Sequence, residues 1–215
     1  MKLLIIIPAR GGSKGIPNKN LVKLIDKPLI QYTLDTAKEL MKNQNHTWIP
    51  FVSTDDDKIS TFCSSHGFDM TYKRPNELAR DRSRIIDVIW DALDWLDHKK
   101  NIKPDALLLL QPTTPLRKAT DIFNAINKVE SKNNFSIVSV TRMREHPNEC
   151  IVKNTKGWSY LTKPAYKTAG RQDYNDDYFF IDGNFYFASV EFLIENRTFL
   201  IENRTKFYLL DQSWP

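Results

Sequence analysis

Residues 3–20 read LLIIIPARGGSKGIPNKN, an apolar run that ends at Pro8 and passes directly into a loop holding three glycines and three cations. Five consecutive apolar side chains at residues 3–7 leave no polar face to turn toward water. Such a strand is covered on both sides, as strands of a parallel sheet are. Gly11, Gly12 and Gly15 give the backbone conformations closed to other residues and let anionic oxygens approach its amides. Arg10, Lys14 and Lys19 bring positive charge to the same small volume, and Ser13 and Asn20 add neutral donors. The combination predicts a phosphate cradle at the end of a buried strand.

Working outward, residues 48–52, 107–110 and 135–140 form further short apolar runs. Between the early ones, Ile30, Leu34, Ala37 and Met41, then Ile86, Ile89, Leu93 and Leu96, follow helical spacing. Alternating strands and helices predict an α/β fold, a three-layer doubly wound arrangement with a mainly parallel sheet. Ligands of such sheets bind beyond the carboxyl ends of the strands, which selects residues 8–20, 53–56 and 111–117. Asp87, Asp91, Asp94 and Asp97 share one sector of the second helix and read as a surface stripe rather than a metal face.

With 215 residues the chain is long enough for one domain spanning residues 1–215. It contains no apolar run of about 18 residues, and its opening run is too short for a secretory signal. The expectation is therefore a cytoplasmic protein with no membrane partner. Cys63 and Cys150 lack paired ligand spacing and read as reduced thiols. The histidines lack it too, so any metal would sit on oxygen.

The net charge of +5 invites a nucleic-acid partner. However, residues 1–30 carry six cations against Asp26 alone, an excess of five that equals the excess of the whole chain. Charge focused at one glycine loop suits a compact polyphosphate better than a long duplex, so no nucleic-acid partner is expected. Two established phosphate loops are excluded. The pattern G-x-x-x-x-G-K-[ST] fails because Gly11 is followed five residues on by Ile16 and Gly12 by Pro17, and G-x-G-x-x-G is absent.

From residue 143 to 177 the long apolar runs lapse into a hairpin-like pair around Ile151 and Tyr160, separated by residues 154–157, and then a polar stretch. A segment that buries little by itself packs on something else, with a partner subunit as the expected neighbour, or else is a mobile surface loop. The pentapeptide IENRT occurs twice, at residues 194–198 and 201–205, too little for a repeat architecture.

The stretch IIPARGGSKGIPNKN at residues 6–20 resembles the signature loop of the acylneuraminate and related sugar-acid cytidylyltransferases. Three further segments agree in order and spacing: VSTDD at 52–56, RPNELARD at 74–81 and LQPTTPLR at 110–117. The resemblance implies a Rossmann-like α/β/α nucleotidyltransferase domain whose protruding arm, here residues 143–177, swaps contacts across a homodimer. It implies attack by a sugar acid's anomeric hydroxyl on the α-phosphorus of CTP, with pyrophosphate leaving and Mg²⁺ required. The acceptor would be a nonulosonic acid of the sialic, legionaminic or pseudaminic type, with an eight-carbon sugar acid as the alternative.

By the same resemblance Lys19 and Arg10 are the catalytic cations, Lys19 stabilising the transition state. Ala9, Arg10, Gly11, Gly12, Ser13, Lys14, Asn20, Arg74 and Ser83 bind the nucleotide. Gln111, Arg171 and Tyr186 bind the sugar, Arg171 pairing with its carboxylate. Simpler roles compete at several positions: a surface ion pair for Arg74, a helix cap for Ser83, a turn for Asn20 and core packing for Tyr186. Asp55 either faces the nucleotide or, with Ser53 and Thr54, caps the next helix.

The chain departs from the family pattern twice. An acidic D-x-D motif that supplies Mg²⁺ ligands after the strand near residues 206–211 is absent, which leaves the metal ligands unassigned and suggests a sequence stopping short of its natural end. Glu149 stands where sialic-acid enzymes can present a lysine, and its charge would repel an acceptor carboxylate.

Overall fold

The unbroken apolar strand is buried on both faces, as its composition requires: residues 3–7 have no solvent exposure. The computed structural model describes residues 1–129, 134–162 and 177–210. In chain order these form β1 (Lys2–Pro8), a small hairpin of β2 (Lys23–Leu24) and β3 (Lys27–Pro28), α1 (Leu29–Met41), β4 (Thr47–Ser53) and α2 (Asp57–Ser65). There follow α3 (Ile85–Trp95), β5 (Ala106–Leu109), α4 (Ala119–Asn127), β6 (Ser136–Arg142), β7 (Ile151–Asn154), β8 (Gly157–Tyr160), β9 (Phe179–Ser189), α5 (Val190–Asn196) and β10 (Thr205–Leu209).

The main sheet runs in the order β10-β6-β9-β5-β1-β4. Strand β1 pairs in parallel with β4 and β5, and β10 with β6, while β9 is antiparallel to both its neighbours. Leu3, Ile5 and Ile7 face a core built with α1, α2 and α4; Leu4 and Ile6 face a second core with α3 and α5. Three layers result because alternate side chains of a strand point to opposite faces, so a strand apolar at every position needs helices on both. The β1, β4 and β5 ends therefore open on the same side of the molecule, where their following loops converge.

The helices begin where local chemistry permits. Asp56 Oδ1 accepts the N–H of Ile59 at 2.9 Å and caps α2, and Ser189 Oγ accepts that of Phe192 at 3.1 Å and caps α5. The acidic residues of α3 are individually partnered: Asp87 pairs with Arg84 at 2.7 Å, and Asp91 accepts the hydroxyl hydrogen of Tyr72. Burial pushes the Cys63 thiol up to about 12, consistent with an inert core cysteine.

Residues 151–160 form the antiparallel hairpin expected from sequence, with Ile151 opposite Tyr160 and Asn154 opposite Gly157. It is exposed throughout and stands apart from the main sheet. The two IENRT copies adopt different structures, the first ending α5 and the second turning into β10. They meet instead: Arg204 of the second grips Glu195 of the first through contacts of 2.8 and 3.0 Å. Asn134 donates to the same carboxylate at 2.8 Å.

The Arg204 hydrogen bond, helped by Asn134, holds the Glu195 carboxyl down at about 2. A lowered folded-state value stabilises the fold above the unfolded carboxyl's ordinary value of about 4.3 and ceases to do so as pH falls through the folded one. Glu195→Gln therefore lowers the urea midpoint at pH 7, and the gap from the parent closes as pH drops from about 4.3 to about 2. A gap independent of pH would rule out the ion pair as its origin.

Candidate active site

The loops after β1 and β5 and the segment before α3 enclose a cleft of about 370 Å³. From the first loop come Pro8, Arg10, Ser13, Lys19 and Asn20; from the second, Gln111, Pro112 and Thr113. The third wall holds Arg74, Leu78, Arg80, Asp81 and Ser83, continued by Ile85 and Val88 of α3. Of the residues assigned from sequence, the cleft thus gathers Arg10, Ser13, Lys19, Asn20, Arg74, Ser83 and Gln111. Gly11, Gly12 and Lys14 stand outside its lining, Ala9 is buried in the core, and Tyr186 lies one strand away.

Several of these positions are fixed by contacts that sequence patterns do not reveal. Ala9 continues the β1–β4 pairing, donating its N–H to the Ser53 carbonyl at 2.9 Å. That donor is therefore spent inside the scaffold. Asn20 is buried and donates from Nδ2 to the Arg10 carbonyl at 3.0 Å, closing the glycine loop on itself. Arg74 is no surface ion pair: it is buried and donates to Ser53 Oγ at 2.8 Å and to the Ser53 carbonyl at 2.6 Å. Burial lowers its guanidinium pKa, and these two acceptors compensate part of the cost.

Ser83 does not cap α3, whose N-cap position is Arg84; its hydroxyl donates to the Glu77 carbonyl at 2.8 Å. Asp55 likewise does not take the helix-cap role expected as one of its two alternatives. Asp56 is the cap, and Asp55 Oδ1 accepts the N–H of Gly11 at 3.0 Å. The glycines also act differently from expectation. Gly11, Gly12 and Gly15 are not among the positive-φ residues, and positive-φ glycines occur at 67, 157 and 183. What Gly11 provides is space: a Cβ there would come within 2.6 Å of Asp56 Oδ2, whereas Gly12 and Gly15 face open room.

Charge in the cleft is partly cancelled from within. Asp81 pairs with Arg10 at 3.1 Å and with Lys14 at 2.6 Å, and the Lys14 contact, followed by Arg10, draws its carboxyl below the usual range. Arg10 also donates to the Ala79 carbonyl at 3.3 Å. Lys19 has no such partner among the described residues and is half-buried in the cleft wall. Its ammonium is the glycine-loop cation left open to an incoming oxyanion.

At the β5 end, Gln111 is anchored through its carbonyl, which accepts from Arg117 at 2.8 Å. Arg117 is buried and also donates to the Asn184 carbonyl at 2.8 Å and to Thr33 Oγ1 at 3.0 Å. Burial brings its guanidinium down to about 10. Gly183 takes φ +73°, a backbone conformation other residues rarely adopt, where β9 runs beside the Gln111 loop; a Cβ there would make only ordinary contact, 3.5 Å from Thr114 Oγ1 and 3.7 Å from Gln111 Oε1. Tyr186 packs on Phe199 with ring centres 5.4 Å apart, and burial raises its hydroxyl pKa. Arg171 lies outside the described residues.

A family model described as Cytidylyltransferase matches residues 4–205, nearly the whole chain. The chain belongs to this family. It is 34% identical over 180 residues to an N-acylneuraminate cytidylyltransferase of Streptococcus agalactiae serotype III, covering 83% of this chain and 41% of that protein. It is 36% identical over 166 residues to a CMP-N,N'-diacetyllegionaminic acid synthase of Legionella pneumophila, covering 76% of this chain and 67% of that one. The chain thus spans about two fifths of the length of the streptococcal relative. A solved CMP:2-keto-3-deoxy-manno-octonic acid synthetase complexed with CTP superposes with a TM-score of 0.67 at 17% identity, over 98% of this chain and 91% of that one. That likeness shows the Rossmann-like nucleotidyltransferase fold.

Among the described residues no three His, Cys, Asp or Glu side chains gather as a metal-binding group. Asp55, Asp56 and Asp81 are engaged by a loop amide, a helix cap and two cations. These residues do not fit a Mg²⁺ ion held by protein ligands alone. Arg80 and Asp81 in the lining of this cytidylyltransferase cleft, and the buried Arg117 that anchors its Gln111 loop, are charged residues that sequence reasoning left without a role. Arg80 and Asp81 close the RPNELARD segment and Arg117 ends LQPTTPLR, so the motif edges carried the only signal.

Gly11→Ala must displace the Asp56 side chain that caps α2, and loss of such a cap costs about 1 kcal/mol. Gly12→Ala meets no neighbour. Chemical denaturation should therefore separate them, with Gly11→Ala less stable than the parent by about that amount and Gly12→Ala within about 0.5 kcal/mol.

Proposed function

We propose that this protein joins CMP to a nonulosonic acid of the sialic, legionaminic or pseudaminic type, using CTP and releasing pyrophosphate. The observation that carries the reading is Lys19, an unpaired cation in a cleft formed by the glycine loop of a cytidylyltransferase. The relatives named for N-acylneuraminate and diacetyllegionaminic acid support the nine-carbon acceptor over an eight-carbon one. The likeness to the octonic acid synthetase, at 17% identity, speaks to fold alone.

In this reading the acceptor's anomeric hydroxyl oxygen bonds to the α-phosphorus as the bond to pyrophosphate breaks. Negative charge grows on the equatorial oxygens and on the leaving group, and preorganised cations lower that barrier. Lys19 stabilises the α-phosphate, while Arg10 and Lys14 engage the outer phosphates with Ser13. Leu78, Ile85 and Val88 offer an apolar wall to the nucleoside, beside Asn20, Arg74 and Ser83. Gln111 directs an amide, donor and acceptor together, to the acceptor's hydroxyls. Arg171 pairs with its carboxylate and Tyr186 lies behind its pocket. Mg²⁺ belongs to the proposal as a companion of the triphosphate, neutralising phosphate charge when bound. A nucleoside triphosphate substrate places the reaction in the cytoplasm, and no nucleic acid takes part.

We also assign residues 143–177 to a dimerisation arm. Ile151, Trp158, Tyr160 and Leu161 of its hairpin are each more than half exposed, a cost that a second copy of the chain would remove. Light scattering at micromolar concentration is expected to give the mass of a dimer. Trp158→Glu together with Tyr160→Lys shifts it toward the monomer; a monomeric parent would exclude the arm.

The decisive assay measures pyrophosphate release from CTP, with ATP, GTP and UTP as controls, across nine-carbon and eight-carbon sugar acids. Release is expected with CTP and a nine-carbon acid. Lys19→Ala lowers kcat by about a hundredfold or more, the usual effect of deleting one preorganised donor. Near-parental turnover in that variant would remove Lys19 from the chemistry.

A further inference from the structure

We infer that Asp81 is an internal counter-ion of the cleft, standing where phosphate oxygens bind, so that its exchange for an anion sets how tightly the site takes polyphosphate. This rests on the reading of the cleft as a triphosphate site. Asp81 places one carboxylate oxygen 3.1 Å from Arg10 Nη2 and the other 2.6 Å from Lys14 Nζ. One carboxylate thus spans two of the three cations of the glycine loop, the arrangement a phosphate group would adopt. The backbone is satisfied in the same way, because the Gly11 N–H that could meet a phosphate is held by Asp55 at 3.0 Å.

The reason is electrostatic. Arg10, Lys14 and Lys19 lie within ten residues of one tight loop, and like charges so placed repel unless an anion stands between them. In the ligand-free protein Asp81 is that anion. A triphosphate approaching the same cations meets the carboxylate as a competitor of like sign, and two ion pairs must open before it seats. Both are partly exposed, with Lys14 at 84% and the Asp81 side chain at 43%, so they can open without unfolding the core. Lys19, unpaired, offers the first hold. Asp81 belongs to the same turn as Arg80 and Ser83, whose N–H donates to the Arg80 carbonyl at 3.1 Å. Its release therefore frees the cleft wall that carries them. Asp81 is a specificity-determining residue, discriminating between ligands that can replace its charge on two cations and those that cannot.

Inorganic tripolyphosphate is the probe, because it tests the cations without requiring turnover. Calorimetry in metal-free buffer at low ionic strength compares the full chain with Asp81→Asn, Asp81→Glu and the charge-matched Asp97→Asn. Asp97 pairs with Lys103, and neither lines this cleft. Asp81→Asn is expected to tighten binding about five- to tenfold, the effect of sparing two exposed ion pairs and one like charge. Asp81→Glu and Asp97→Asn should stay within about twofold of the parent. At 0.5 M salt the gain shrinks, because screening weakens exposed pairs.

A second readout has the opposite sign. Without ligand, Asp81→Asn melts below the parent, since the loop cations lose their counter-ion; with saturating tripolyphosphate its melting temperature rises by more than the parent's. A residue that merely braced the cleft would lower both values and weaken binding. Unchanged or weaker binding by Asp81→Asn, with the parent binding normally, overturns this inference and leaves the proposed function standing. A parent that binds neither tripolyphosphate nor any nucleoside triphosphate overturns both.

Discussion

Cations gathered at the end of a buried strand repel one another, and the geometry of this cleft depends on the carboxylates that hold them. Asp81 ties Arg10 and Lys14 to the segment before α3, and Asp55 ties the Gly11 amide to the end of β4. Each contact joins the loop after β1 to a segment far from it in sequence. Together with the Asn20 hydrogen bond to the Arg10 carbonyl, these contacts give the charged glycine loop its shape. With them, Lys19 is the loop cation left without an ion pair among the described residues, and that asymmetry distinguishes it from Arg10 and Lys14.

Two buried arginines extend the same logic into the scaffold. Arg74 spends its guanidinium on Ser53 at the end of β4, and Arg117 joins α1, the Gln111 loop and β9. A buried cation is costly unless its donors are matched, so each arginine demands one arrangement of the surrounding carbonyls and hydroxyls. Such demands favour precision over raw stability. They hold Gln111 within reach of the cleft while the loop that carries it remains free of regular structure. The cleft wall that holds Arg74 and the wall that holds Gln111 are thus each keyed to the sheet by one guanidinium, and the side chains they position inherit the rigidity of β4, β5 and β9.

The duplicated pentapeptide shows how identical residues come to serve different ends. In the first copy Arg197 adopts φ +54° and its guanidinium lies over the Trp90 ring at 4.9 Å; in the second, Arg204 reaches back to Glu195. Sequence identity over five residues does not impose one structure, because neighbouring elements decide which hydrogen bonds are available. The same reason explains the glycine loop. Its glycines suggested unusual backbone angles, but the requirement observed at Gly11 is the nearness of Asp56, a residue 45 positions away.

The sequence by itself determined the layers and the place of the site. Unbroken apolar strands demand cover on both faces, and helical spacing supplies it, so the parallel sheet and the convergence of the loops at residues 8–20 and 111–117 follow from patterns within a few residues of each other. Tertiary structure alone decided which charges are free. Asp81 is 71 residues from Arg10, Asp55 is 44 from Gly11, and Arg117 is 67 from Asn184, so nothing local records these pairings. The antiparallel insertion of β9 between β5 and β6, which brings Gly183 against Gln111, was equally hidden, because an apolar strand reads the same in either direction. Periodicity reports burial, which is a property of a segment; pairing depends on where distant segments meet, and only the folded chain sets that.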